Sequence, residues 1–573
     1  MKNEKQSIIN LTVVIFLLLT GGCQKIPDES IESKEKFNVL WLVAEDLGPY
    51  IPPFGDSTIK TPHLSRLAAE GVRYNNVFSV SGVCSPSRAA LATGMYPTSI
   101  GAHHMRTLYQ QPAAKKMGII NYEVVLPTEV KMVSEILREN GYYTSNNSKE
   151  DYQFLPSRMA WDESSIYAHW RNRPIGKPFY SMFSFMVTHE SSIWNPTGKK
   201  HDLDVFPPPR TVKRWWKKFQ NKFLPLIDEN LSVVIPPYLP RTEKVVNDVR
   251  RMYSNISRMD DHVGNILTQL EEDGLLENTI IVWFTDHGGP LPRQKRLLYD
   301  AGLHVPMIVR YPNKLRAGEI DDRLISFVDF APTLLSMMDI KPPEYMQGLA
   351  FEGEYKNSEE RKFIHAAADR FDETYDMIRA VRNKRFKYLK NFQPQTPYYL
   401  PLAYRENMAS MQELLRLHQI DSLNKEQALW FRETKPIEEL FDTYSDPYEL
   451  NNLAEDLQFK SILSELRREC EIWMGNIKDM GHIPEQELIN TFWPDKIQPL
   501  TANPVFHIEN GELHITCQTK GASIGYKRPQ DLEEGLGWQI YKSPLDMDHE
   551  TPILVIAHRI GFAPSDTLQW NKK

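Results

Sequence analysis

Three apolar runs in this chain each end in acids or a histidine, and that placement restricts the fold more than any other feature. Asn38-Val-Leu-Trp-Leu-Val-Ala44 has the length of a buried strand and leads into Glu45 and Asp46. Phe179-Tyr-Ser-Met-Phe-Ser-Phe185 leads to His189 and Glu190, and Ile280-Ile-Val-Trp-Phe284 leads to Asp286 and His287. Such runs read as strands covered on both faces. Between them lie helical patterns. One spans about Val130 to Asn140 and is closed by Gly141. The other is the stripe Met252, Ile256, Met259, Val263, Ile266, Leu267 and Leu270, stopped by Gly274. Alternating strands and helices predict an α/β domain with a mainly parallel sheet. Ligands bind such sheets beyond the carboxyl ends of the strands, so the acids and histidines gather at one edge.

Later regions differ. Ala380 to Leu389 reads as a hairpin, followed by helical stretches and the polar segment Asp442 to Asn452. After Pro499 come short β pieces, Glu512 to Cys517 and Ile553 to Ala557 among them, which make a small unit of roughly 75 residues. The 67 basic residues are outnumbered by 74 acids, for a net charge of −7, which gives no support to a nucleic-acid binder. An anionic substrate must therefore be met by locally concentrated positive charge. Four cysteines in 573 residues are too few for a disulfide framework, and spacing leaves open whether Cys470 and Cys517 pair.

At the N-terminus Lys2 and Lys5 precede an apolar stretch from Ile8 to Thr20, then Gly21, Gly22 and Cys23. The stretch is shorter than the roughly 20 residues that span a bilayer. The order small-small-Cys resembles a bacterial lipoprotein signal. This implies a signal peptide over residues 1–22, lipidation of Cys23, a polar tether over 23–36 and an exported chain held on the cell membrane or outer membrane, facing the periplasm or the cell surface.

The sharpest local signal is Cys84-Ser-Pro-Ser-Arg88 followed by Ala-Ala-Leu-Ala-Thr-Gly94. Pro86 suits a first helical turn and the alanines propagate it, so Cys84 sits at a helix N-terminus, where free N–H groups favour an anion. Arg88, one turn on, reaches the same point. A cysteine that is merely buried or paired is the plainer alternative.

C-S-P-S-R with L-A-T-G resembles the signature of type I sulfatases, in which a maturation enzyme oxidises this cysteine to formylglycine. Asn38 to Asp46 resembles the family's first metal strand and Thr285-Asp-His-Gly288 its second. Leu440 to Pro447 with Asn452-Leu-Ala454 resembles its C-terminal signature. The resemblance implies the alkaline-phosphatase-like sulfatase fold: a catalytic domain over residues 37–370 and a smaller α+β subdomain over 371–497. It also implies one divalent cation held by Glu45, Asp46, Asp286, His287 and residue 84. Carboxylates favour Ca²⁺, with Mg²⁺ as the alternative; His287 is the unusual ligand. By the same resemblance the hydrated formylglycine attacks sulfur, Arg88 orients it, Lys149 and Lys295 neutralise the sulfuryl oxygens, and His189 protonates the leaving group. Two departures stand out. Glu45 replaces the family's usual Asp, and Asp151 stands where a histidine is usual; His103 and His104 could compensate or bind the sugar.

Pro236-Pro-Tyr-Leu-Pro-Arg-Thr and Arg258-Met-Asp260 resemble heparan N-sulfatases and their bacterial relatives. The expected substrate is a sulfated polysaccharide, such as algal ulvan or fucoidan or a glycosaminoglycan, with Trp170, Arg171, Trp194 and Arg370 as candidate pocket residues. Residues 498–573 resemble the small β-sandwich at the C-terminus of some chitobiases. The other readings are a phosphoesterase of the alkaline phosphatase type and a glycan-binding lipoprotein without catalysis.

Overall fold

The computed structural model describes residues 36–105, 118–194, 228–546 and 552–572. The leader and Cys23 lie outside the described residues. No described helix is long and apolar enough to cross a membrane.

The three apolar runs are β1 (Asn38–Ala44), β5 (Phe179–Phe185) and β6 (Thr279–Thr285). They are adjacent and parallel in an eight-stranded sheet. With β2 (Val72–Phe78), β3 (Tyr143–Asn147), β4 (Glu163–Ser164), β7 (His304–Arg310) and β8 (Ile320–Ser326), the order is β4-β3-β5-β1-β6-β7-β2-β8. Only β7 is reversed: it returns beside β6 with no crossover, so its connection passes over the strand ends.

Alternation along β1 shows why its sequence is apolar throughout. Val39, Trp41 and Val43 enter one core, while Leu40, Leu42 and Ala44 enter the other. The second core is covered by the helix Glu243–Glu272, whose predicted stripe, Met252 to Leu270, is buried along with Val245 and Val249, and which ends before Gly274, at φ +67°. The first core is covered by the helices Cys84–Thr93, Val133–Glu139 and Phe330–Met337. There Trp41 meets Tyr180, Phe284 and Phe330 edge-on, with ring centroids 5.4, 5.2 and 5.9 Å away.

The predicted hairpin forms β10 (Ile378–Arg382) and β11 (Phe386–Asn391). Asn383 Oδ1 fixes its turn by accepting from the backbones of Arg385 and Phe386 at 2.8 and 2.7 Å. Flanked by β9 (Ile364–Ala368) and β12 (Glu438–Asp442), it makes an antiparallel sheet. Leu463, Leu466 and Cys470 of the helix Lys460–Ile477 pack on one side of that sheet.

The terminal region holds two antiparallel sheets. One comprises β13 (Val505–Glu509), β14 (Glu512–Thr516) and β17 (Leu545–Asp546). The other comprises β15 (Ser523–Lys527), β16 (Gln539–Ile540), β18 (Ile553–His558) and β19 (Leu568–Trp570). These sheets do not stand apart from the rest. Arg158 donates its N–H to His558 Nδ1 at 3.0 Å, Arg559 donates to the Leu126 carbonyl at 3.2 Å, and Ser523 donates to Glu135. Cys84, Cys470 and Cys517 are all free thiols.

Candidate active site

The parallel register of β1 with β5 and β6 sets Ala44 beside both Phe185 and Thr285, so the residues that follow emerge together. Hydrogen bonds tie the three strand ends. Asp46 donates its N–H to Asp286 Oδ1 at 3.0 Å, and Glu190 donates its N–H to Asp46 Oδ2 at 2.7 Å. Asp46 sits at φ +46°, a conformation that Asp tolerates better than most residues. The Cys84 helix enters from the side. Gly82 precedes it because a Cβ there would lie 2.5 Å from the Leu297 carbonyl oxygen. Ser87 donates to the Asp286 carbonyl and Ser85 to Asp151, which pins the first turn.

Cys84 Sγ lies 3.7 Å from Asp46 Oδ1, 3.4 Å from His287 Nε2 and 3.5 Å from Lys295 Nζ. Burial pushes the thiol well above its ordinary range, so an unmodified Cys84 is a poor thiolate. Lys295 also donates to Asp46 at 2.6 Å, and burial would raise Asp46 were it not outweighed by Lys295 and its histidine neighbours. Lys149 meets Glu45 and stands 3.8 Å from Asp151.

His189 Nδ1 faces the Ser191 backbone N–H at 3.3 Å and the Ser191 hydroxyl at 2.8 Å, and its other ring nitrogen is Nε2. That atom lies 3.4 Å from Lys295 Nζ. Burial, aided by Lys295, lowers His189 to about 3.

Four donor groups, those of Asp46, Cys84, Asp286 and His287, converge within 4.8 Å of one another. His287 Nδ1 donates to the Gly288 carbonyl at 3.1 Å, which turns Nε2 toward Asp46 Oδ1 at 2.9 Å. Two electron-pair donors held this close fit a shared cation. Glu45, predicted as a ligand, stands outside the four, its oxygens taken by Arg88 and Lys149. Burial still outweighs those partners and pushes Glu45 up to about 7, so a nearby divalent cation would favour its charged form.

The sulfatase family profile matches residues 37–167 and 164–340 of this chain. The chain belongs to the sulfatase family. It is a sulfuric ester hydrolase with the alkaline-phosphatase-like sulfatase fold, and membership implies formylglycine and a divalent cation. A second profile, N-sulphoglucosamine sulphohydrolase, C-terminal, matches residues 293–428. An ulvan-active sulfatase of Formosa agariphila is 52% identical over 93% of this chain and 91% of its own length. Human N-sulphoglucosamine sulphohydrolase is 24% identical over 81% of this chain and 93% of its own. A solved structure holding its substrate D-glucosamine-2-N,6-O-disulfate superposes with a TM-score of 0.54 at 18% identity, covering 78% of this chain and all of that one, and so shares the fold. Sulfatase membership sets aside the phosphoesterase reading.

The other predicted residues are placed as follows. The guanidinium of Arg88 bridges Glu45 and Asp286 and donates to Ser184 at 3.3 Å, and so supports the carboxylates. His103 and His104 are buried against each other with ring centroids 4.2 Å apart, and His104 Nδ1 accepts from the Arg370 backbone. Trp170 stacks on Phe179 at the start of β5 and donates to Asp273 at 2.8 Å; Arg171 shares that acid. Both lie at the opposite end of the strand from His189. Arg370 is committed to Glu485.

Sequence reasoning missed Arg296, which grips Glu190 at 2.8 and 3.0 Å and Asp372 at 2.7 Å. Its position beside Lys295 was the available signal. It also missed Tyr404, whose ring meets Trp194 edge-on at 5.1 Å and which couples electrostatically to Glu190 and Lys295.

Proposed function

We propose that this sulfatase removes sulfate from a sulfated polysaccharide or its oligosaccharides, with ulvan as the first candidate. The convergence of Cys84 Sγ with Asp46, His287 and Lys295 carries the reading of the site, and the 52% identical ulvan-active relative supports the substrate. Formylglycine at position 84 would supply, once hydrated, the attacking hydroxyl, and a divalent cation held beside it would favour its deprotonation. Asp46, Asp286 and His287 would hold that cation, with Glu45 beside them; the carboxylates favour Ca²⁺ over softer ions, with Mg²⁺ as the competitor.

Lys295 and Lys149 place positive charge where the sulfuryl oxygens bind. Nε2 of His189, beside Lys295, would face the departing sugar oxygen, and Ser191 fixes the ring for that task. Trp194 and Tyr404 offer an aromatic platform for the sugar beside Glu190. A lipid anchor at Cys23 would hold the enzyme where extracellular polysaccharide arrives, and a maturation enzyme is its necessary partner.

The test is sulfate release from a panel of ulvan, fucoidan and heparan oligosaccharides. Release from ulvan fragments above the others supports the assignment. Preferential release from N-sulfated glucosamine would transfer it to the heparan class.

A further inference from the structure

The hairpin β13–β14 carries a second cluster of metal-ligating side chains, on the terminal unit and away from Cys84. Its turn is Asn510-Gly511, with φ +52° and +83°, the pair of positive values that a two-residue hairpin loop requires. That turn locks the register, so His507 pairs with His514 and Glu509 with Glu512. Side chains two apart on a strand, and those directly opposite, share a face. All four therefore stand on one face, while Leu513 and Ile515 are buried in the terminal core on the other.

His507, Glu509 and His514 each bring a donor atom within 4.8 Å of the other two, and the imidazoles stack at 4.9 Å. Among the described residues, no hydrogen bond or ion pair engages these three side chains. We infer that the hairpin face of His507, Glu509 and His514 is a zinc site. Two imidazoles and a carboxylate suit Zn²⁺ better than the hard cation expected at the catalytic centre. Tetrahedral zinc separates its ligands by about 3.3 Å, so small side-chain rotations close the set. Glu512 or water would complete it. Bound there, the ion clamps β13, an edge strand, to its neighbour.

The test titrates Zn²⁺ into the calcium-saturated full chain by calorimetry, alongside His507→Ala, His514→Ala and Glu509→Gln. The expected result is one zinc equivalent in the wild type. Each histidine variant should weaken it at least about tenfold, with sulfate release unchanged, because none of these residues touches the catalytic site. Equal zinc binding by wild type and variants, or none by either, overturns the site and leaves only a stacked histidine pair. Circular dichroism confirms that the variants are folded, and their exposed positions make that the expected finding.

Discussion

Lys295 donates to Asp46 Oδ2 across 2.6 Å, with both side chains shut away from solvent. One buried cation thus touches a carboxylate of the proposed cation site and also stands 3.5 Å from Cys84 Sγ. In the proposed reaction it would meet a sulfate oxygen without any rearrangement.

Replacing Lys295 by Ala should therefore lower kcat/KM for sulfate release by about 10²–10³-fold. Steady-state kinetics on ulvan oligosaccharides checks this, and a loss below tenfold would remove the residue from the reaction.

Residue 84 should be an aldehyde in protein purified from its native host. Mass spectrometry of the peptide that carries it reads this directly. Cys84→Ala should keep the fold and lose sulfate release to background; retained turnover would refute a formylglycine nucleophile.

Chelation of divalent cations should abolish activity, and added Ca²⁺ should restore it more fully than Mg²⁺. Asp286→Asn should weaken this restoration by raising the concentration of ion needed. Activity that survives exhaustive chelation would contradict the cation requirement.

Glu485 grips Arg370 at 2.6 and 2.7 Å where both side chains are buried. Glu485→Ala should destabilise the protein by about 3–5 kcal/mol, because it strands a buried guanidinium. Denaturant unfolding measures this; a change under about 1 kcal/mol would show that the Asp372 carbonyl suffices for Arg370.

Burial would raise the Glu70 carboxyl, but hydrogen bonds from Arg66 and Arg310 outweigh it and bring it from 4.5 to about 2. A depressed folded value means that the unfolded chain binds protons first on acidification. This contribution to stability is therefore complete above pH 4.5 and is lost as pH falls toward about 2. Glu70→Gln should flatten the stability profile in that window, as denaturation at stepped pH would show.

The strand ends and the nucleophile helix were legible because their signals are local: an apolar run, a proline in a first turn, an acid where the run stops. Lys295 was legible only through the family resemblance. What each guanidinium grips was not. Arg88 turns to Glu45 and Asp286, contributed by two other strands, and only the sheet register brings these together. The burial of His103 and His104 depends on Arg370 and Gln153, both distant in sequence. Trp170 and Trp194 look alike in sequence, yet one fills the far core and the other stands beside Tyr404.

The immediate return of β7 beside β6 has a consequence for how such an enzyme diversifies. The segment between them carries Asp286, His287, Lys295 and Arg296, and both of its ends are stitched into one ladder. Within that segment the proposed ion-holding pair Asp286 and His287 and the proposed anion-holding Lys295 are fixed against one another, and Asp46 and Cys84 meet them from the end of β1 and from the nucleophile helix. In the proposed reading the sugar is met on the rim instead, around positions such as Trp194 and Tyr404. Exchanging rim segments between relatives should then swap the sugar that is accepted while the chemistry at sulfur carries over intact.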